Sequence, residues 1–282
     1  MPAATMIETV DTLGMIAGSR SLPLLFARHA RALGVKRLVV AAFEGETDPA
    51  VSALVDEVIW LKVGQLAKLI DTFKKHGVTQ CVMLGQIAPK NLFDVRPDFR
   101  TVALLFKLKE KNAHTIFCAI ADELKKDGLE LIDPTPWLQP VMARAGFRLG
   151  PDLTPALKAD LDFGLCIAKE ISRLEIGQTV VVKNGTVLAV EGFEGTDACL
   201  KRGGELAGKE GGAVAVKVAK EKHDMRFDIP CIGPQTLEIC VAANIRVLGV
   251  EAGKTLLLDQ EQIEKLACAH RITVTSVGPG CP

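Results

Sequence analysis

The sequence has no excess of charge: across 282 residues, 34 Lys and Arg are matched by 34 Asp and Glu, a formal net charge of +0 at pH 7. No bulk field therefore recruits nucleic acid or an anionic membrane, although a local basic pocket is compatible with the balance. Paired cysteines are missing as well. The 8 cysteines, Cys81, Cys118, Cys166, Cys199, Cys231, Cys240, Cys268 and Cys281, stand singly with no CxxC pair. That spacing argues against zinc ribbons and redox motifs and for buried, reduced, cytosolic thiols. There is no basic start followed by an apolar run, and no stretch approaches the roughly 18 apolar residues of a spanning helix. The expectation is a cytoplasmic protein that touches a membrane at most from the side. The 5 histidines show no H-E-x-x-H or other ligand spacing, and no G-x-S-x-G elbow presents a serine nucleophile. His76 fits a dipole-matched helix end, while His114 and His223 stay as candidate site neighbours. Internal repeats and low-complexity tracts are absent too.

What remains is an ordinary globular composition, 48% apolar and 24% charged. The length favours two domains at roughly 150 residues each. In the first half, "TLGMIAG" is a short buried strand, "LPLLFARHARALG" a helix closed by Gly34, and "VKRLVVAAF" a second strand. "GQLAKLIDTFKKHG" is amphipathic and ends at Gly77, and "VTQCVMLG" is another apolar strand. This is the βαβ rhythm of a parallel sheet covered by helices. Helices over 101–111 and 115–126 lead to "LELID".

Five prolines between Pro134 and Pro155 then place a boundary at 134–153, a proline-rich linker between a first domain over 1–133 and a second over 154–282. Beyond it, "ALKADLDFGLCIAKEISRLEIG" is a long helix, and "QTVVVKNGTVLAVE" carries Asn184-Gly185 between runs of valine, the signature of a type I′ hairpin. "AVAVKVAK", "IRVLGVEAG" and "KTLLLD" are strands and "PQTLEICVAAN" a helix, so the second domain is a mixed α/β unit.

Three stretches carry chemistry. The loop "GMIAGSRSLP" follows a first strand, but it matches neither dinucleotide nor P-loop patterns, so a ligand-facing loop and a plain turn both stay open. "VEGFEGTDACLKR" brackets Glu194 with Gly192 and Gly195, and Thr196 is placed to cap a helix beginning at Asp197. Such a turn offers amides to an anion or carboxylates to a divalent cation, and it is equally an ordinary helix start. "KHDMRFDIPCIGP" alternates Asp224, Arg226 and Asp228 with Met225, Phe227 and Ile229, so an extended chain there collects the three charges on one face. Together with Lys217 and Lys220 these charges suit a pyrophosphate and its divalent metal, or else an exposed salt-bridged strand. Asp224 and Asp228 lie about 13 Å apart on an ideal strand, too far to chelate one ion.

"IAGSRSLP", "LGQI", "RLEIGQTVVVKNGTVLAVEGFEGTDA", "VKVAK", "DMRFDIPCIG" and "VEAGKTLLLD" follow the order and spacing of one family. The chain resembles the LpxI-type UDP-2,3-diacylglucosamine pyrophosphatases over nearly its whole length. The resemblance implies a Rossmann-like N-terminal domain with a distinct C-terminal domain. It implies hydrolysis of UDP-2,3-diacylglucosamine to UMP and 2,3-diacylglucosamine 1-phosphate, a step toward lipid A, with a divalent metal, Mg²⁺ or Mn²⁺. A homodimer is also implied. Asp228 falls at the family's most activity-linked aspartate and, with Asp197, is the expected metal ligand. Lys217, Lys220 and Arg226 would balance the phosphates, and Ser19, Leu22, Gln86, Gln178, Glu194, Thr196 and Asp197 would contact the substrate. The chain departs from the family pattern at Ser19 and Arg20, in a loop usually richer in glycine, and at Ala113 and His114, where members often carry aspartate. "TVALLFKLKEKNAHTIF" is a candidate for contact with acyl chains or the inner membrane, and a core-facing helix is the other reading of it. Alternatives to the hydrolase are a pyrophosphatase on another UDP-sugar and a nucleotide-sugar or lipid-phosphate binding protein without turnover; a nicotinamide oxidoreductase stands further off.

Overall fold

The computed structural model describes residues 10–87, 97–109, 113–220 and 224–278, with residues 113 and 114 as backbone only. It divides into two compact units. The first runs to Gln139 and includes Met225–Asp228; the second comprises Pro140–Asp224 and the chain from Ile229 onward.

The first unit is built on a five-stranded sheet in the order β3-β2-β1-β4-β5. β1 (Thr12–Ala17), β2 (Arg37–Phe43), β3 (Glu57–Leu61), β4 (Gln80–Leu84) and β5 (Glu130–Leu131) all pair in parallel. The helices are α1 (Leu22–Ala32), α2 (Leu66–Lys75), α3 (Phe99–Lys107), α4 (Ala113–Lys126) and the short α5 (Thr135–Leu138). β1 and β2 are buried on both faces, which is why they appear in the sequence as unbroken apolar runs. β3 leaves no mark in the sequence because "EVIWL" is a half-exposed edge with no clean period. On one face, Leu69, Ile70 and Phe73 of α2 pack with Val39, Ala41, Cys81 and Leu124. The order reverses between β1 and β4, and open α/β sheets bind ligands outside the carboxyl ends of their strands at such a switch point.

The second unit holds a six-stranded sheet, β6-β13-β11-β9-β7-β8. Its strands are β6 (Arg148–Leu149), β7 (Thr179–Lys183), β8 (Thr186–Val190), β9 (Ala213–Lys217), β11 (Ile245–Glu251) and β13 (Thr273–Val277), and β10 (Cys231–Ile232) pairs separately with β12 (Leu256–Leu257). β9, β11 and β13 run parallel, while β6 and the β7–β8 hairpin are antiparallel margins. Alternation sorts the valines. Val180, Val182, Val214 and Val216 meet the long helix α6 (Pro155–Arg173) on one face. Val181, Ala213, Ala215 and Leu248 meet α7 (Thr196–Leu206), α8 (Pro234–Ala242) and α9 (Gln260–His270) on the other.

Two expectations change. The stretch around Arg226 is not a strand: Met225–Phe227 forms a turn. Both neighbours of β9 stop beside Lys217, β7 starting at Thr179 and β11 ending at Glu251, so the chain leaving β9 has no strand to continue along. One apolar member of the alternation, Phe227, instead joins the core of the first unit, its ring 5.5 Å from that of Phe117. The proline-rich 134–153 stretch is not bare linker either; it forms α5, a 3₁₀ turn (Gln139–Val141) and β6. Proline is tolerated there because it sits in the first turn of α5, and Trp137 is buried edge-on against Phe26 at 5.8 Å. The cysteines divide as well. Burial pushes the Cys81, Cys199 and Cys240 thiols up to about 12, so they are inert apolar side chains. Cys268 is exposed, contrary to expectation, and Cys281 lies outside the described residues.

The hairpin turn has the conformation its sequence demands, with Asn184 at φ 49° and Gly185 at φ 68°. Buried Asp160 of α6 reaches across to it and accepts both turn amides, Asn184 N–H and Gly185 N–H, at 2.8 Å each. Replacing Asp160 with alanine removes both acceptors. The expected cost is about 1–2 kcal/mol, read as a fall of roughly 5 °C in melting temperature, while Asp160→Asn keeps one acceptor and loses about half as much.

Candidate active site

In the first unit the chain passes the switch point through two loops that touch. Ser19 N–H and Ser19 Oγ both donate to the Gln86 carbonyl, at 2.7 and 2.8 Å, and Gly18 N–H donates to the Leu84 carbonyl at 2.7 Å. A Cβ on Gly18 would lie 2.6 Å from the Gln86 carbonyl oxygen, and one on Gly85 2.6 Å from that of Ser19. Only glycine permits this crossing. The structure thus brings Ser19 and Gln86 together, with Leu22 buried at the start of α1 and Arg20 exposed in a left-handed conformation, φ 70°. A charged side chain stands where close backbone approach would call for another glycine. It stands in the loop that follows β1, one of the two strands at the switch point.

In the second unit the polar groups gather at the carboxyl ends of β9 and β11. Lys217 ends β9, half-buried, with Nζ 3.5 Å from the Cys231 carbonyl. Val218 N–H donates to the Gln178 carbonyl at 2.9 Å, which places Gln178 beside the lysine segment, and Lys220 follows, exposed. Thr196 does not cap its helix. The cap is Gly195, and Thr196 is the first helical residue. Its hydroxyl donates to Glu191 Oε1 at 3.1 Å and lies 3.4 Å from the Thr179 hydroxyl, while Glu191 Oε2 accepts Gln178 N–H at 3.4 Å. Glu194 turns back on its own loop, accepting Gly192 N–H at 3.0 Å and pairing with Arg202. Its own backbone amide and then the Arg202 guanidinium hold its carboxyl below the usual range, so it is a loop brace that stays ionised. Asp197 is exposed in the first turn of α7.

Asp228 and Arg226 belong to the segment packed in the first unit. Arg226 lies over the Phe227 ring at 5.7 Å, a cation held against an aromatic face, and Asp228 is exposed. Lys222 and His223 lie outside the described residues, as do the side chains of Ala113 and His114. Among the described residues no group of three or more His, Cys, Asp or Glu is placed to hold a metal ion. No helix among them is long and apolar enough to cross a membrane.

Sequence reading missed the best-defined polar cluster, centred on Glu251 at the end of β11. Its side chain is fully buried, and it binds Lys169 Nζ at 2.6 Å, Lys254 Nζ at 3.0 Å and the Ala219 N–H at 2.9 Å. Lys169 is on α6, 82 positions away in sequence, so no spacing rule could have paired them. Only the position of a carboxylate at the end of an apolar strand hinted at it.

Parallel strands, a glycine-permitted loop crossing at the switch point of the first sheet and a lysine at the end of β9 define a two-domain α/β protein. The LpxI N-terminal domain model matches residues 12–141 and the LpxI C-terminal domain model residues 145–275. The chain belongs to the LpxI family. It is 30% identical over 277 residues to UDP-2,3-diacylglucosamine pyrophosphatase LpxI of Caulobacter vibrioides, covering 95% of this chain and 98% of that one. Among solved structures it is similar to an ADP complex of N5-carboxyaminoimidazole ribonucleotide synthetase (12% identity, TM-score 0.29, 67% of this chain and 40% of that one). The Thermotoga maritima N5-carboxyaminoimidazole ribonucleotide synthetase matches at 14% identity and TM-score 0.25, over 66% of this chain and 42% of that one. The chain spans less than half the length of either solved structure.

Burial alone pushes the Glu251 carboxyl up, and the hydrogen bonds from Lys169, Ala219 and Lys254 more than offset it, leaving it below the usual glutamate range. A folded-state value depressed in this way stabilises the protein above the unfolded pKa and loses that contribution as the pH falls through the folded one. In acid titrations followed by circular dichroism, Glu251→Gln is expected to be less stable than wild type at pH 7, with the gap closing as the pH falls below about 4. A gap that stays constant through the acid range contradicts the assignment.

Proposed function

We propose that this protein hydrolyses the pyrophosphate bond of UDP-2,3-diacylglucosamine, releasing UMP and 2,3-diacylglucosamine 1-phosphate on the route to lipid A. The observation that carries this reading is the match, over almost the full length of both chains, to a relative named for that pyrophosphatase. The site chemistry supports it. Lys217 and Lys220 present two cations to phosphate oxygens, Arg226 a third, and Asp228 an exposed carboxylate that can orient or deprotonate a water. Gln178, Thr196 and Asp197 offer polar contacts to the sugar and phosphates, Glu194 braces their loop, and Ser19, Leu22 and Gln86 support the loop next to Arg20.

As the attacking water bonds to one phosphorus and loses its proton, the bond from that phosphorus to the bridging oxygen breaks and negative charge builds on that oxygen, which leaves with the other phosphate. Fixed cations lower the barrier because they are already in place when that charge develops. Divalent Mg²⁺ or Mn²⁺ is part of the proposal. Asp228 of the first unit and Asp197 of the second, both exposed, are the carboxylates that would hold it, a Mg²⁺ of this kind needing only one or two protein carboxylates besides water and substrate phosphates. When bound, such an ion neutralises phosphate charge. The reading extends to a cytoplasmic homodimer that meets the inner membrane from the side. In support, Phe99 and Phe106 project from α3 seven residues apart, 95% and 84% exposed, with Lys107 and Lys109 beside them.

UMP release from UDP-2,3-diacylglucosamine is measured for wild type and Asp228→Ala, with Mg²⁺, with Mn²⁺ and with chelator. Turnover by wild type, lost with chelator and reduced on the order of 10²–10³-fold in a folded Asp228→Ala protein, is the expected result. Substrate binding without release assigns a binding protein instead. Equal turnover of UDP-sugars lacking acyl chains assigns a different pyrophosphatase.

A further inference from the structure

The lysine segment has no sheet partner past Lys217, yet its backbone is fixed. Lys217 is half-buried, Val218 and Ala219 are buried, and Lys220 is exposed. Every main-chain group at Ala219 is taken: its N–H by Glu251 Oε2 at 2.9 Å, and its carbonyl by the Ser172 hydroxyl at 3.2 Å. The preceding amide, Val218 N–H, goes to the Gln178 carbonyl. A lysine is a point charge on a flexible stem, so where the backbone starts that stem sets which phosphate oxygens it can reach.

Satisfying one amide does not require a carboxylate. A carbonyl would serve, without a buried charge that must then be matched by cations. Here two lysines from separate elements match it, Lys169 from α6 and Lys254 from the turn after β11. What the charge adds is a shorter, stiffer bond to the amide and a tie between three elements. We propose that Glu251 is a positioning residue: from the end of β11 it fixes the Ala219 peptide, with Ser172 as the other half of the clamp, and so sets where Lys217 and Lys220 meet the pyrophosphate. The proposal rests on the pyrophosphatase reading for its kinetic consequence, though not for the clamp itself.

Two readouts test it on the full-length protein: amide hydrogen exchange of residues 213–220, and kcat and KM for UMP release. Glu251→Leu is expected to speed exchange at Val218 and Ala219 at least about tenfold and to lower kcat about a hundredfold, with KM changed far less. Glu251→Gln retains an acceptor for the amide and is expected to recover kcat to within about fivefold, and Ser172→Ala to lose about fivefold. A residue that only stabilises the fold would lower the melting temperature of each variant and leave the kcat of folded protein alone; that pattern overturns the proposal, as does unchanged exchange in Glu251→Leu. Should Glu251→Leu fail to fold, Ser172→Ala decides, and unchanged exchange with unchanged kcat there overturns it. Absence of UMP from wild type defeats the pyrophosphatase reading itself, and exchange alone then upholds or overturns the clamp.

Discussion

One carboxylate without access to water organises the second unit. Glu251 closes the central strand of the sheet and is bonded to a helix on one face, to the turn that follows it and to the exit of the neighbouring strand. A buried charge is tolerated only when its partners hold their places, so the three elements constrain one another. The apolar layers on either face supply the bulk of the burial, but burial is non-directional. It packs α6 against β9 without determining where the chain goes after Lys217. Directional bonds do that.

The first unit solves a related problem with the opposite chemistry. Its loops cross at the reversal of strand order by having nothing in the way, and the contact between Ser19 and Gln86 is backbone and hydroxyl rather than ion pair. In both units candidate side chains lie where parallel strands stop, which is where a sheet of this kind leaves backbone dipoles and loop ends unoccupied.

Much of this was legible in the sequence, and the failures are physical. β1, β2 and β4 announce themselves because strands buried on both faces must be apolar throughout, and Asn184-Gly185 fixes a turn because few other pairs accept two positive φ values. Ser19, Gln86, Gln178, Thr196 and the lysines were named from sequence, and the structure groups Ser19 with Gln86 and Gln178 with Thr196 and Lys217. The alternation around Arg226 misled because a period of two is needed for a strand but does not make one; a strand also requires a neighbour to pair with, and both neighbours of β9 stop beside Lys217. Thr196 was misplaced by one residue since a glycine before it takes the cap position, leaving its hydroxyl for Glu191. Glu251 with Lys169 was invisible, because contacts that join distant parts of a chain leave no local trace.

The short excursion of Met225–Asp228 into the first unit bears on how such a protein can evolve. The two family domains, 12–141 and 145–275, look like cassettes in linear sequence. Recombination at the junction near residue 140 would nonetheless carry Phe227, a piece of the first unit's core, away with the second half, and Asp228 with it. The second half is inherited with a part of the first unit. Exchange with unrelated domains is thereby penalised, and a lineage built this way should diversify by point substitution within the pair rather than by shuffling its halves.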